Sequence, residues 1–309
     1  MNQIFDLELA RAVIRISVPL IFAGLGGLLS FNAGVLNIAM DGFMLVAAFA
    51  AIWMANLTGS LILGILAAMV AGVALATLFG YFNLRFKANI FIAGIAINLL
   101  ASALTALLLV GIYNQQGSFV PENIPTIPTI SLPIIGGIPG IGPIVDGHDP
   151  LTYLAYLAVP ITAFILFRTR WGLHVRAAGE NPEAAEVVGV NVFWIRMQTI
   201  WLSGAFCGIA GAYLSLVYVG SFSRDMTADR GLIALAAIFF ARGKPYVMLI
   251  VAVLFGASQA LAIRLQLQDQ LPSQLLQVIP YAITILALIV VGIRAKYFHT
   301  TVRGITFGS

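Results

Sequence analysis

Seven stretches of this chain, 11–30, 61–82, 89–112, 151–167, 197–218, 246–263 and 276–293, are apolar, nearly free of charge and close to the length that crosses a lipid bilayer. A spanning helix needs about 20 predominantly apolar residues, each adding about 1.5 Å of rise. Backbone surrounded by lipid must satisfy its own hydrogen bonds, so such stretches fold as helices. Only 9% of the 309 residues are charged, where soluble domains carry about 25%. A soluble core cannot explain that deficit. The expected fold is an all-α polytopic membrane protein, one transmembrane domain over 1–309.

Three shorter apolar pieces, 31–42, 43–57 and 229–241, read as short, tilted or broken crossings and bring the expected count to about ten. Charge supports that count. With all ten crossing and both termini in the cytoplasm, thirteen Lys/Arg residues fall inside and only Arg224, Arg230 and Arg264 fall outside, as the positive-inside rule favours. Without a crossing at 31–42, either Arg85 and Lys87 move outside or the N-terminus must flip. The first apolar run, after Arg11 and Arg15, shows no small-residue cleavage site, so it reads as a span and not a signal peptide. The basic residues lie in pairs between apolar runs, a pattern of membrane topology that argues against a nucleic-acid groove.

Two polar segments interrupt this plan. The external loop 113–150 carries prolines from Pro121 to Pro150, which oppose regular helix. It is either a connector or part of an external docking or gating surface. The cytoplasmic loop 168–196 holds Arg168, Arg170, Arg176 and Arg196 around the sequence GENPEAAEVVG. There Asn181 can cap free amides, Pro182 suits a first helical position, and Glu183 suits the positive end of the dipole. A short helix is expected, serving either as an interfacial helix or as a docking surface for a cytoplasmic partner.

Polar residues inside apolar sequence are functional candidates, because lipid penalises them unless they are paired. Asn32 and Asn37 read either as helix-to-helix hydrogen bonds or as substrate contacts, and Asp41 either as part of a transport site or as the cap of a helix from Phe43. Asn98, Ser102 and Thr105 can share a helical face, lining a pathway or joining helices. The glycines at 24–27 and 204–211 fit close helix packing. Arg224, Asp225, Asp229 and Arg230 form an external charge cluster, either solvated or able to register a partner.

No catalytic set is apparent: His148, His174 and His299 lie in separate loops, and the lone Cys207 sits in an apolar run. A phosphate-cradling GxxxxGK[ST] is absent, so any ATP must be bound by another chain. The chain does not read as an enzyme.

Three motifs, GGLLSFNAGVLNIAMDGFMLVAAFAA, FKANIFIAGIAINLLA and AAGENPEAAEVVGV, occur in this order. Together they resemble the permease subunits of bacterial ABC importers for ribose-type sugars, nucleosides and branched-chain amino acids, most of all the smaller nucleoside-type permease. The resemblance runs over about 13–293. It implies an inner-membrane permease of about ten segments, paired with a second, different permease, with cytoplasmic ATPases that bind ATP and Mg, and with an external substrate-binding protein. No cofactor is implied for this chain. The family's coupling helix maps onto Asn181 to Gly189, with Gly179, Asn181, Pro182, Glu183, Ala184, Ala185 and Gly189 as the ATPase-coupling candidates. Asn32, Asn37, Asn98 and Ser102 are the pathway candidates, and Arg224, Asp225, Asp229 and Arg230 the docking candidates. Asp41 stands where relatives often carry Glu. The expected function is inward passage of nucleosides by alternating access, with simple-sugar transport or an ion-coupled carrier as alternatives.

Overall fold

The computed structural model describes residues 7–121, 127–130 and 142–266. The apolar run 276–293, most of the proline-rich loop and the C-terminus lie outside the described residues. Seven helices among the described residues are long and apolar enough to cross a membrane. They are α1 (Leu7–Asn32), α2 (Met40–Thr58), α3 (Leu61–Gly80, extended by a wide turn through Arg85), α4 (Ile90–Tyr113), α6 (Pro150–Arg168), α9 (Val192–Ala212, similarly extended to Val219) and α11 (Pro245–Gln266). Between them lie α5 (Gly142–Val145), α7 (Arg170–Glu180), α8 (Pro182–Val187) and α10 (Arg230–Ala241). A two-residue antiparallel pairing joins β1 (Ser118–Phe119) to β2 (Phe222–Ser223).

α1, α2 and α9 form the centre, whereas α3 and α4 keep most of their apolar surface on the outside of the chain. Small residues set the central spacing. A β-carbon on Gly204 would crowd the backbone of Gly72, so α3 and α9 touch backbone to backbone, as membrane helices with small interfacial residues do. The expected packing role of the glycines at 204–211 is therefore what the chain uses.

Two expectations change. The piece 31–42 is not a helical crossing. α1 runs straight through Asn32 and stops at Gly34, whose φ of +80° starts a left-handed turn. Gly34 N donates to Phe31 O at 3.0 Å and Val35 N to Ser30 O at 2.9 Å, the pair of bonds that closes a glycine-terminated helix. Residues 33–39 are then non-helical until α2 restarts at Met40.

The second change follows. The first turns of α1 lie beside the segment before α6, where Arg11 Nη2 donates to Asp146 O at 2.7 Å. The far end lies beside the polar loop, with Gly34 packed on Gly179. The start of α1 is thus at the opposite end of the bundle from α7 and α8, and not at the same end as expected.

Candidate functional site

Just past the break at 33–39 stands Asp41, in the first turn of α2. Its carboxylate does not cap its own helix; that expectation is corrected by its bonds. Oδ1 accepts from Gly231 N at 2.9 Å and Oδ2 from the Thr227 hydroxyl at 2.9 Å. α10 has no cap of its own, since Asp229 precedes it with φ +59° and makes no side-chain cap bond. Asp41 supplies that cap from a distant segment, placing negative charge at the positive end of the helix dipole. The fit is tight: a β-carbon on Gly231 would overlap the Asp41 backbone.

Asn98 of α4 straddles the same break. Its Nδ2 donates to Ile38 O at 3.0 Å and its Oδ1 accepts from Gly42 N at 2.8 Å. It is half-buried. One helical turn further on, the Ser102 hydroxyl donates to Asp225 Oδ1 at 2.6 Å. Thr105 is buried and bonds only to its own helix.

Residues 220–229 form a second break between α9 and α10. The segment starts beside the loop after α4, where Arg224 N donates to Gly117 O at 2.8 Å. It then descends past Ser102, midway along α4, to Asp41. Asp225, Ala228 and Asp229 all have positive φ, at 52°, 46° and 59°. Three non-glycine residues in that region within five positions mark a strained turn, of the kind concentrated where a protein binds or switches.

The four residues expected as one external cluster lie on this segment, which runs from the loop after α4 past Ser102 to the start of α2. Arg224 and Asp225 pair weakly, at 3.6 Å, with side chains 63% and 56% exposed. Asp229 is exposed, while Arg230 is half-buried and its Nη1 donates to Met226 O and Thr227 O, both at 3.1 Å.

The other two pathway candidates bond within the fold. Asn37 is 1% exposed, its Nδ2 donating to Ser203 Oγ and its Oδ1 accepting from Ala39 N. Asn32 donates to Leu28 O and Gly243 O at the end of α1. What sequence reading did not find is the meeting of the two breaks. Asp225 and Thr227 are far from Ser102 and Asp41 along the chain, and no local pattern joins them.

The polar loop forms as its residue pattern predicts. Asn181 Oδ1 accepts from Ala184 N at 3.0 Å and Pro182 is the first residue of α8. Gly189 has φ +85° and ends it. Glu183, Ala184, Glu186, Val187 and Val188 are exposed, the two valines at 88% and 76%, while Ala185 is buried against the chain's own core. Gly179 presses on the Asn32 backbone, where a β-carbon would clash with its carbonyl oxygen. Arg196 bridges the two parts: Nε donates to Ala33 O at 3.0 Å and Nη2 to Ala178 O at 3.1 Å. The arm that carries α8 is thereby tied to the first break. Among the described residues, no three His, Cys, Asp or Glu side chains converge to hold a metal.

A family model described as the permease component of a branched-chain amino acid transport system matches residues 9–288. The chain belongs to this permease family. The permease is 36% identical to TsgC13 of Haloferax volcanii, provisionally named a glucose ABC transporter permease, over 85% of this chain and 79% of that one. It is 33% identical to NupC of Lactococcus lactis, named a nucleoside ABC transporter permease, covering 93% of both chains. It is 34% identical to the guanosine ABC transporter permease NupQ of Bacillus subtilis, over 90% and 89%. A solved ABC transporter, provisionally of metal-chelate type and inward-facing, shares its fold at a TM-score of 0.53 and 20% identity, covering 93% of the permease and 87% of that chain. The permease is accordingly a multi-pass, non-enzymatic component of an ABC transporter.

Proposed function

We propose that the permease carries nucleosides inward by alternating access, driven by ATPase subunits that grip α8. The carrying observation is the meeting of two broken segments in the middle of the bundle, one of them tied by Arg196 to the arm that bears α8. Broken helices with free backbone and polar groups at mid-depth are a recurring form of transport site. Nucleosides are favoured by the names of NupC and NupQ, and a simple sugar is the second reading, favoured by TsgC13.

In this reading α7 and α8 face the cytoplasm. Arg85, Lys87, Arg168, Arg170, Arg176, Arg196, Arg242 and Lys244 then lie at the inner end, and the start of α1, with Arg11 and Arg15, lies outside. That is the flip required once 31–42 no longer crosses, and it keeps an inner excess of positive charge. Gly179 and Ala185 hold the coupling arm to the rest of the chain. Asn181, Pro182 and Gly189 shape α8, and Glu183, Ala184, Val187 and Val188 meet the ATPase, which binds the ATP and Mg.

In this reading the quartet Arg224, Asp225, Asp229 and Arg230 belongs to the pathway and not to the docking of an external binding protein, because Asp225 meets Ser102 and the segment that carries all four is tied to Asp41 through Thr227 and Gly231. Exposed charges at that depth must face water or protein, and lipid is excluded by cost. A second permease against α4 would enclose them, with the pathway at the interface of the pair; that the second permease is a different chain is favoured by the paired names NupB and NupC, and NupP and NupQ.

The test is uptake into proteoliposomes holding both permeases and the ATPases, with the binding protein outside. The reading expects ATP-dependent uptake of labelled nucleoside and none by the lone permease under an ion gradient. ATP-independent, ion-driven uptake by the lone chain contradicts it.

A further inference from the structure

Asp225 sits beside Ser102, half-way along α4, with its side chain 56% exposed. Its surroundings limit what it can meet. The Ser102 hydroxyl donates to Oδ1 at 2.6 Å, which orients the carboxylate. Arg224 Nε stands 3.6 Å from Oδ2, a separation too long for a firm hydrogen bond. A carboxylate offers about four acceptor positions, so most of its capacity remains open. On the face of α4 that carries Ser102, Ile95 and Leu99 are exposed. A small-molecule site has this composition: an apolar wall with a few placed polar groups that fix orientation.

We infer that Asp225, oriented by Ser102, is a binding point for the vicinal hydroxyls of a neutral substrate, the 2′- and 3′-hydroxyls when the substrate is a nucleoside. Two adjacent hydroxyls are donors at the spacing of the two oxygens of one carboxylate, which accepts both in a fork. Charge-assisted bonds of this kind are about twice as strong as neutral ones. The carboxylate adds repulsion against a phosphorylated substrate, so the same point disfavours nucleotides.

This inference rests on the nucleoside reading for its choice of substrate but not for its chemistry, and the experiment separates the two. Wild type, Asp225→Asn and Ser102→Ala are compared in the complete reconstituted transporter, with uptake of guanosine measured against 2′-deoxyguanosine and 3′-deoxyguanosine, and of ribose against 2,3-dideoxyribose, which has no adjacent hydroxyls in either ring form. The external binding protein is the same throughout, so its preference cancels in the variant-to-wild-type ratio. Asp225→Asn is expected to lower uptake of the diol-bearing member of each pair about tenfold while changing its deoxy partner little, the discrimination that a lost charged hydrogen bond produces. Ser102→Ala is expected to act in the same direction more weakly.

Equal loss for diol and deoxy substrates overturns the inference, and so does a wild type that transports no diol-bearing substrate. Selective loss seen with ribose, in a transporter that takes up no nucleoside, overturns the nucleoside reading and leaves the diol site standing. Asp225→Glu guards against misfolding: it keeps the charge and is expected to restore part of the diol preference.

Discussion

The carboxylate of Asp41 holds the start of a helix 190 positions further along the chain, through Oδ1 accepting from Gly231 N at 2.9 Å. Removing it leaves the first turn of α10 without a side-chain cap and the Thr227 hydroxyl without this partner. Asp41→Ala is expected to destabilise the permease by about 1–3 kcal/mol, read as a lower unfolding midpoint in detergent. Asp41→Asn keeps one acceptor for Gly231, and the Thr227 hydroxyl can turn to accept, so it should cost less. Equal losses in the two variants would contradict the capping role.

Arg196 connects Ala33 to Ala178 through two different nitrogens. Lysine offers a single ammonium on a flexible stem and cannot reproduce that fork. Arg196→Lys is expected to keep the fold and the charge while loosening the arm. Uptake per ATP hydrolysed should fall on the order of three- to tenfold, as for the loss of about one hydrogen bond. An unchanged ratio would show that the bridge does not transmit the stroke.

Gly179 and Asn32 meet with no room between them for a β-carbon. Gly179→Ala is expected to push the arm off the end of α1, lowering stability by about 1–3 kcal/mol and reducing uptake. By contrast Gly111, where nothing lies within 4 Å of an added β-carbon, should accept alanine with little change. Comparable behaviour of the two variants in a thermal melt would sink the packing argument.

The spans were legible because lipid leaves an uninterrupted apolar signature. α8 was legible because its cap, its proline and its terminating glycine act locally. The breaks were harder to read. Phe31 to Ile38 is as apolar as a short span, and only the turn at Gly34, visible in three dimensions, shows that α1 ends there. In the proposed orientation that one difference also places the start of α1 outside, because topology alternates and each omitted crossing flips what precedes it. Asn98 and Ser102 were recognisable as intramembrane polar residues, but their partners Ile38, Gly42 and Asp225 are set by tertiary contact. Asn32 and Asn37 looked equivalent to them in sequence. The difference lies in their partners, Leu28 and Gly243 for Asn32 and Ser203 and Ala39 for Asn37, which no pattern along one chain reveals.

In the proposed function α8 is the place where a separate ATPase drives the permease. Val187 and Val188 are the most exposed apolar side chains there, so replacing both with Asp should leave the permease itself within about 0.5 kcal/mol of wild-type stability. The decisive measurement is ATP-driven nucleoside uptake by the reconstituted complex carrying Val187→Asp and Val188→Asp, with co-purification of the ATPase recorded on the same sample. Loss of both the ATPase and the uptake, at an unchanged unfolding midpoint, is the predicted result. Full uptake with the ATPase still bound would contradict it.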